Sequence, residues 1–190
     1  WSYRDIYRNF PFAIDEINGL EVLQTTSITE KNIFLASNVG LFIGNISTNL
    51  KNPNNWVRGF CCFEDGPIEA MTRYQDGIAF IFDRNNNGPS VYHIYPSEEF
   101  YLYDSLDIPL PIEFEEMIFD NNDYLVGIKN KIVYSQKNGF HPMNQQVMLN
   151  SLTLGIDQEI IIGSDLGLKS LQPNMDVLSF IPNAPASSKF

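Results

Sequence analysis

One run of this 190-residue chain has the spacing of an ion-binding loop: Asp83-Arg-Asn85-Asn-Asn87-Gly88. In the D-x-N-x-N-G form, side-chain oxygens at alternate positions converge on a calcium ion and the glycine allows the sharp turn. The three donors would be Asp83, Asn85 and Asn87. Ile94 stands where such a loop would supply its bidentate glutamate, and a hairpin connection favours the same Asn and Gly residues for turn geometry alone. Calcium at this loop is the one cofactor the sequence suggests. A second group, Glu113, Glu115 and Glu116 with Asp120 and Asp123, offers carboxylates of the kind glycosidases set across a scissile bond. Read as a strand, it would point Glu113 and Glu115 to one face and Phe114 and Glu116 to the other, which suits a solvated strand edge. His93 and His141 are the only histidines, and neither lies in a motif with a nucleophile or a second metal ligand. His93, alternating with Tyr92 and Ile94, reads as a strand residue, and His141 before Pro142 as a turn. These residues do not mark an enzyme.

The aromatic side chains are the better candidates for contact with a ligand. Trp56 and the cluster Phe100-Tyr101-Leu-Tyr103 could stack on sugar rings or anchor a protein partner, while alternating aromatics in strands equally fill the space between sheets. Asn45-Ile-Ser47 satisfies the short glycosylation sequon. The two cysteines, Cys61 and Cys62, are neighbours and cannot close an ordinary loop, so they read as small buried hydrophobes in the run Gly59-Phe-Cys-Cys-Phe63.

The formal charge of −11 argues against a nucleic-acid partner, because neutralising a phosphate backbone needs clustered Lys and Arg. No apolar run approaches the roughly 18 residues of a spanning helix, so membrane insertion is not expected. The sequence opens on Trp1 and closes on the Pro-, Ala- and Ser-rich 182–190, which reads as linker; we expect a piece of a longer chain.

What must position these side chains is a set of strands. Ile33-Phe-Leu-Ala-Ser37-Asn-Val-Gly40-Leu41 matches Ile160-Ile-Ile-Gly-Ser164-Asp-Leu-Gly167-Leu168, with the two glycines 127 residues apart. That offset divides into three intervals of roughly 42, the length of a four-stranded propeller blade. Weaker copies fall at Gly77–Phe82 and Asp123–Ser135. Apolar residues do not recur at helical spacing over any long window, whereas β-branched and aromatic residues abound. The chain therefore reads as an all-β β-propeller segment of about four four-stranded antiparallel blades, at 20–63, 67–104, 112–142 and 147–181, after a lead-in at 1–19. Outer strands are expected at Gly59–Phe63, Phe100–Tyr103, near Phe140 and at Val177–Phe180. The glycine of the S-x-x-G-L turn is expected at positive φ, with Val39 and Leu166 tucked inward.

Ile33–Gly44, Ile160–Leu171 and the downstream Asn49-Leu-Lys-Asn-Pro-Asn-Asn-Trp56 resemble the blades of bacterial two-component-regulator propellers and of PorZ-like surface proteins. In those blades an apolar strand leads to Thr or Ser, two residues, Gly-Leu or Gly-Ile, an aromatic and a loop ending in Trp. Ser37, Gly40, Leu41, Phe42 and Trp56 follow that pattern, and Ser164, Gly167 and Leu168 its core; the middle two units lack the turn glycine. Such propellers commonly have more blades than four. The resemblance implies a secreted, periplasmic or cell-surface module that senses or binds a protein, peptide or glycan, without catalytic residues, and that is completed by the rest of a propeller or by another subunit. The competing readings are a propeller hydrolase or lyase, in which acids such as Asp83, Glu98 or Glu115 converge with a histidine, and a structural subunit of a larger assembly.

Overall fold

The computed structural model describes residues 22–27, 31–58, 63, 66–83, 88–96, 101–120, 122–143, 149–155, 159–165, 167–171 and 177–180. They form an all-β array of four separate antiparallel sheets, each following the last in sequence. The chain divides into two compact units, residues 1–115 and 116–190. Among the described residues no helix is long and apolar enough to cross a membrane.

The first sheet of unit 1 is a meander of β1 (Val22–Ser27), β2 (Asn32–Ser37), β3 (Gly40–Asn45) and β4 (Trp56–Arg58). The second is a meander of β5 (Met71–Tyr74), β6 (Gly77–Asp83), β7 (Pro89–Pro96) and β8 (Tyr101–Leu106). In β6 the first six of seven residues are buried, so this inner strand is covered on both faces and reads as a continuous apolar run. One face of each sheet meets in a common core: Phe34, Ala36, Leu41 and Ile43 from the first, and Met71, Ile78, Phe80, Phe82, Tyr92 and Ile94 from the second, with Phe63 and Ile68. Phe63 is fully buried and stands edge-on to Phe80, Phe82, Tyr92 and Tyr103 at centroid distances of 4.9 to 5.4 Å.

The other face of the first sheet is closed by its own β3–β4 connection. Asn45, Asn49 and Asn52 each accept a backbone N–H two residues on, a series of Asx turns that folds the loop back. This sets Leu50 and Trp56 onto Ile33, Leu35 and Phe42, with Val39 packed beside them.

Unit 2 holds β9 (Glu116–Phe119), β10 (Leu125–Lys129) and β11 (Ile132–Ser135) in one sheet, and β12 (Leu149–Leu154), β13 (Ile160–Ser164), β14 (Gly167–Leu171) and β15 (Val177–Phe180) in the other. Ile118, Val126, Ile128 and Val133 pack with Leu149, Leu152, Ile160, Ile162 and Leu171. The Glu116 carboxylate accepts the Leu152 N–H at 2.9 Å and ties β9 to β12. Burial pushes that carboxyl above its ordinary range, and the Leu152 bond only partly opposes it.

The internal repeat extends to the register. In the first sheet Ser37 pairs with Gly40, Val22 with Ser37, and β1 is irregular between Val22 and Gln24. Shifting each number by 127 gives Ser164 with Gly167, Leu149 with Ser164, and the irregularity between Leu149 and Ser151. Gly40 and Gly167 lie at φ 120° and 115°, where L side chains are strained. Ser37 Oγ donates to Gly40 O at 2.7 Å, and Ser164 Oγ makes the same bond to Gly167 O at 2.7 Å. Ser37 Oγ also accepts the Val39 N–H at 3.2 Å. Because Ser37 is fully buried, Ser37→Ala is expected to lower unfolding free energy by about 1–2 kcal/mol, and the less buried Ser164→Ala by less, as read from denaturant midpoints.

Several boundaries differ from the sequence reading. In the first sheet the described outer strand is Trp56–Arg58; of the expected Gly59–Phe63, residues 59–62, with Cys61 and Cys62, lie outside the described residues. Glu113 and Glu115 precede β9 instead of alternating along it, Phe114 between them is fully buried, and only Glu116 belongs to the strand. In the third sheet three strands are described. After β11 a short turn at Gln136–Asn138, with Gly139 and Phe140 at φ 68° and 58°, diverts the chain, which returns as a single bridge from Tyr134 to Pro142. Pro142 has no N–H to extend that ladder.

Candidate functional site

The sequence-selected aromatics occupy different settings. Trp56 is 7% exposed; its ring lies on Gly44 and its indole N–H donates to Leu50 O at 2.9 Å, so the side chain is spent on the core. Tyr101 and Tyr103, alternate residues of β8, are half-buried at the border of the unit 1 core. Tyr101 stands edge-on to Phe34, its centroid 5.5 Å away, and its hydroxyl accepts a hydrogen bond from Asn32 Nδ2 at 2.5 Å. Burial raises the Tyr101 phenol, with the Asn32 bond opposing. Phe100 lies outside the described residues, as do Asn85 and Asn87. Asp83 ends β6 as an exposed residue, and its Oδ1 accepts the Gly88 N–H at 3.0 Å, a side-chain-capped turn. Ile94 is fully buried in the core.

A cluster that the sequence did not reveal lies on the opposite face of the second sheet. Along β7, Tyr92 and Ile94 enter the core, so His93 and Tyr95 face the other way. The register sets Ala79 of β6 and Asp104 of β8 on either side of His93. The His93 side chain is only 8% exposed, edge-on to Tyr74 with centroids 4.9 Å apart and tilted against Tyr95 at 5.1 Å. The ring donates a hydrogen bond to the backbone of Tyr74, and among the described residues its Nε2 has no partner. Asp76 Oδ1, in the turn between β5 and β6, lies 3.9 Å from that Nε2, beyond hydrogen-bond range. Burial holds the His93 pKa below its ordinary value, against the opposing pull of Asp76, the Tyr74 backbone and Asp104. The Tyr95 hydroxyl bonds the Asp104 carboxylate, which raises that phenol.

This arrangement holds a proton acceptor beside two carboxylates and two phenols. Asp83, at the far end of β6, pairs with Pro89 and does not join it. Among the described residues no three His, Cys, Asp or Glu side chains are grouped to hold a metal ion.

No protein-family profile matches the chain, and no curated protein matches it in sequence. Solved structures do match. A protein of unknown function from Bacteroides caccae superposes with a TM-score of 0.56 at 8% identity, over 86% of this chain and 61% of that one. The extracellular domain of a protein named as a one-component system of Bacteroides thetaiotaomicron superposes with a TM-score of 0.52 at 18% identity, over 90% of this chain and 23% of that one. At these identities the likeness is one of fold. The chain spans about three fifths of the first structure and under a quarter of the second.

Proposed function

We propose that the chain is a segment of a β-propeller in an extracellular or periplasmic sensing module, one that binds a ligand and does no chemistry on it. The observation that carries the reading is the fold likeness, over 90% of this chain, to the extracellular domain of the one-component system. The propeller itself is supported by successive meander sheets and by a repeat whose register recurs at 127 residues. A rigid array of short sheets presents loops and outer strands while its backbone stays fixed, which suits recognition. The remaining blades would come from the rest of the protein or from another subunit. Tyr101 and Tyr103, half-buried on the outer strand β8, are the contacts we assign, for a peptide, protein or glycan partner.

The test is calorimetric titration of the chain with panels of oligosaccharides and peptides, repeated with Tyr101→Ala and Tyr103→Ala and with circular dichroism to confirm folding. A bound compound whose affinity falls about tenfold in a folded variant supports the reading, that being the worth of one aromatic contact. Turnover of a panel compound would replace it with the hydrolase reading, and absence of binding would remove the assignment of the two tyrosines.

A further inference from the structure

We propose that His93 is an acid-operated catch on the hairpin formed by β5 and β6. The neutral imidazole fits its surroundings: Tyr74 and Tyr95 flank the ring, Ala79 lies opposite it on β6, and one ring N–H is taken by the Tyr74 backbone. Its other nitrogen is an acceptor facing an acceptor, the Asp76 carboxylate at 3.9 Å, and no group among the described residues bonds it. A proton on Nε2 reverses that relation. The ring then carries a charge that the aromatic and alanine walls cannot solvate, while Asp76, with 65% of its side chain exposed, and Asp104, also exposed, offer carboxylates on the water side. Moving toward them withdraws the ring from between the tyrosines and breaks its bond to Tyr74. That bond helps hold β5, the edge strand of the second sheet.

The sign of the coupling follows from burial. The folded-state pKa of His93 lies below the ordinary value of 6.5, so the neutral ring contributes stability that is present above that value. The contribution is lost as pH falls through the folded-state titration. Acid therefore loosens the hairpin.

The test is a pH titration of the whole chain from about pH 7.5 to about pH 5, following the histidine ring resonances and the hydrogen exchange of the Tyr74–Ile78 amides. With two histidines in the chain, loss of a resonance in His93→Phe identifies the His93 ring. His93 is expected to titrate below the ordinary histidine value of 6.5. After correction for intrinsic exchange, hairpin opening should grow as pH falls, up to about tenfold per pH unit, the limit for one proton. His93→Phe should abolish this dependence. Asp76→Asn, a surface change that leaves the fold intact, should move the release to lower pH. Hairpin protection that stays flat while His93 titrates, or an unchanged release in Asp76→Asn, would overturn the proposal.

Discussion

Gly77→Ala is expected to cost about 4 kcal/mol or more, a large part of the roughly 5–15 kcal/mol that holds a domain folded. Gly77 opens β6 beside β7, and a methyl group there would be driven into the Ile94 carbonyl oxygen, with the Ile94 carbonyl carbon at 2.8 Å and the Tyr95 Cα at 2.9 Å. These are backbone atoms of a strand paired on both sides, so no side chain can swing away to make room. The loss of backbone entropy that alanine brings to the unfolded chain favours folding by only about 0.4–1 kcal/mol and cannot offset the collision. Gly88→Ala separates sterics from backbone conformation: Gly88 sits at φ 95° with nothing within 4 Å of the added carbon. Its expected cost is about 1–2 kcal/mol, from the left-handed backbone alone. Urea unfolding of the two variants side by side reads the difference; near-equal midpoints would mean that β7 can yield.

Trp56→Ala is expected to destabilise by about 3–5 kcal/mol, the usual cost of emptying a buried aromatic site. It leaves Leu50 O without its indole donor and uncovers Ile33, Leu35 and Phe42. The same ring explains why residue 44 is glycine. A methyl there would lie 2.8 Å from Trp56 Cε3 and Cζ3 and from Leu50 Cδ2. Gly44→Ala should therefore cost about 1–3 kcal/mol in the native chain and less once Trp56 is already alanine. The double-mutant cycle, measured by denaturant unfolding, is expected to show a coupling of about 1–2 kcal/mol. Additive effects would mean that the indole does not rest on Gly44.

Those two sites also show why some of the fold was legible in the sequence and some was not. The hairpins at Ser37–Gly40 and Ser164–Gly167 announce themselves because their φ of 120° and 115° suits glycine and their serines bond across the turn. The middle sheets turn by other chemistry. Asn130 and Lys131 both take positive φ, 50° and 64°, in the two-residue turn between β10 and β11, and Gln75 takes 49° before Gly77. The Asn130–Lys131 corner has no glycine, and Gly77 and Gly88 of the second sheet do not follow a serine at the Ser-x-x-Gly spacing, so the motif fades there although the meander continues. Strand β4 was sought from Gly59 on, yet it is already paired at Trp56–Arg58, where three residues are too few for a period of two to declare itself. Tyr101 and Tyr103 were visible as alternating aromatics; which face they take depends on packing against Phe34 and Phe63. The His93 cluster was hidden for a different reason. Asp76 and Asp104 reach it only through cross-strand register, and nothing local to His93 specifies register.

The matched register of β1–β3 and β12–β14 has a consequence for folding. Two hairpins written in the same code within one chain can compete for the same partner strand, the route by which repeats exchange segments and misassemble. They differ, among other places, at one cross-strand pair. Opposite Ser151 of β12 stands Gly163, and the Ser151 hydroxyl occupies the space where a side chain at 163 would begin. The corresponding position of the first sheet, opposite Gln24, is Ala36. If β12 were to capture β2 in place of β13, the Ala36 methyl would land on that hydroxyl. The two hairpins, alike in register, thus differ in the room that this position leaves for the residue opposite it.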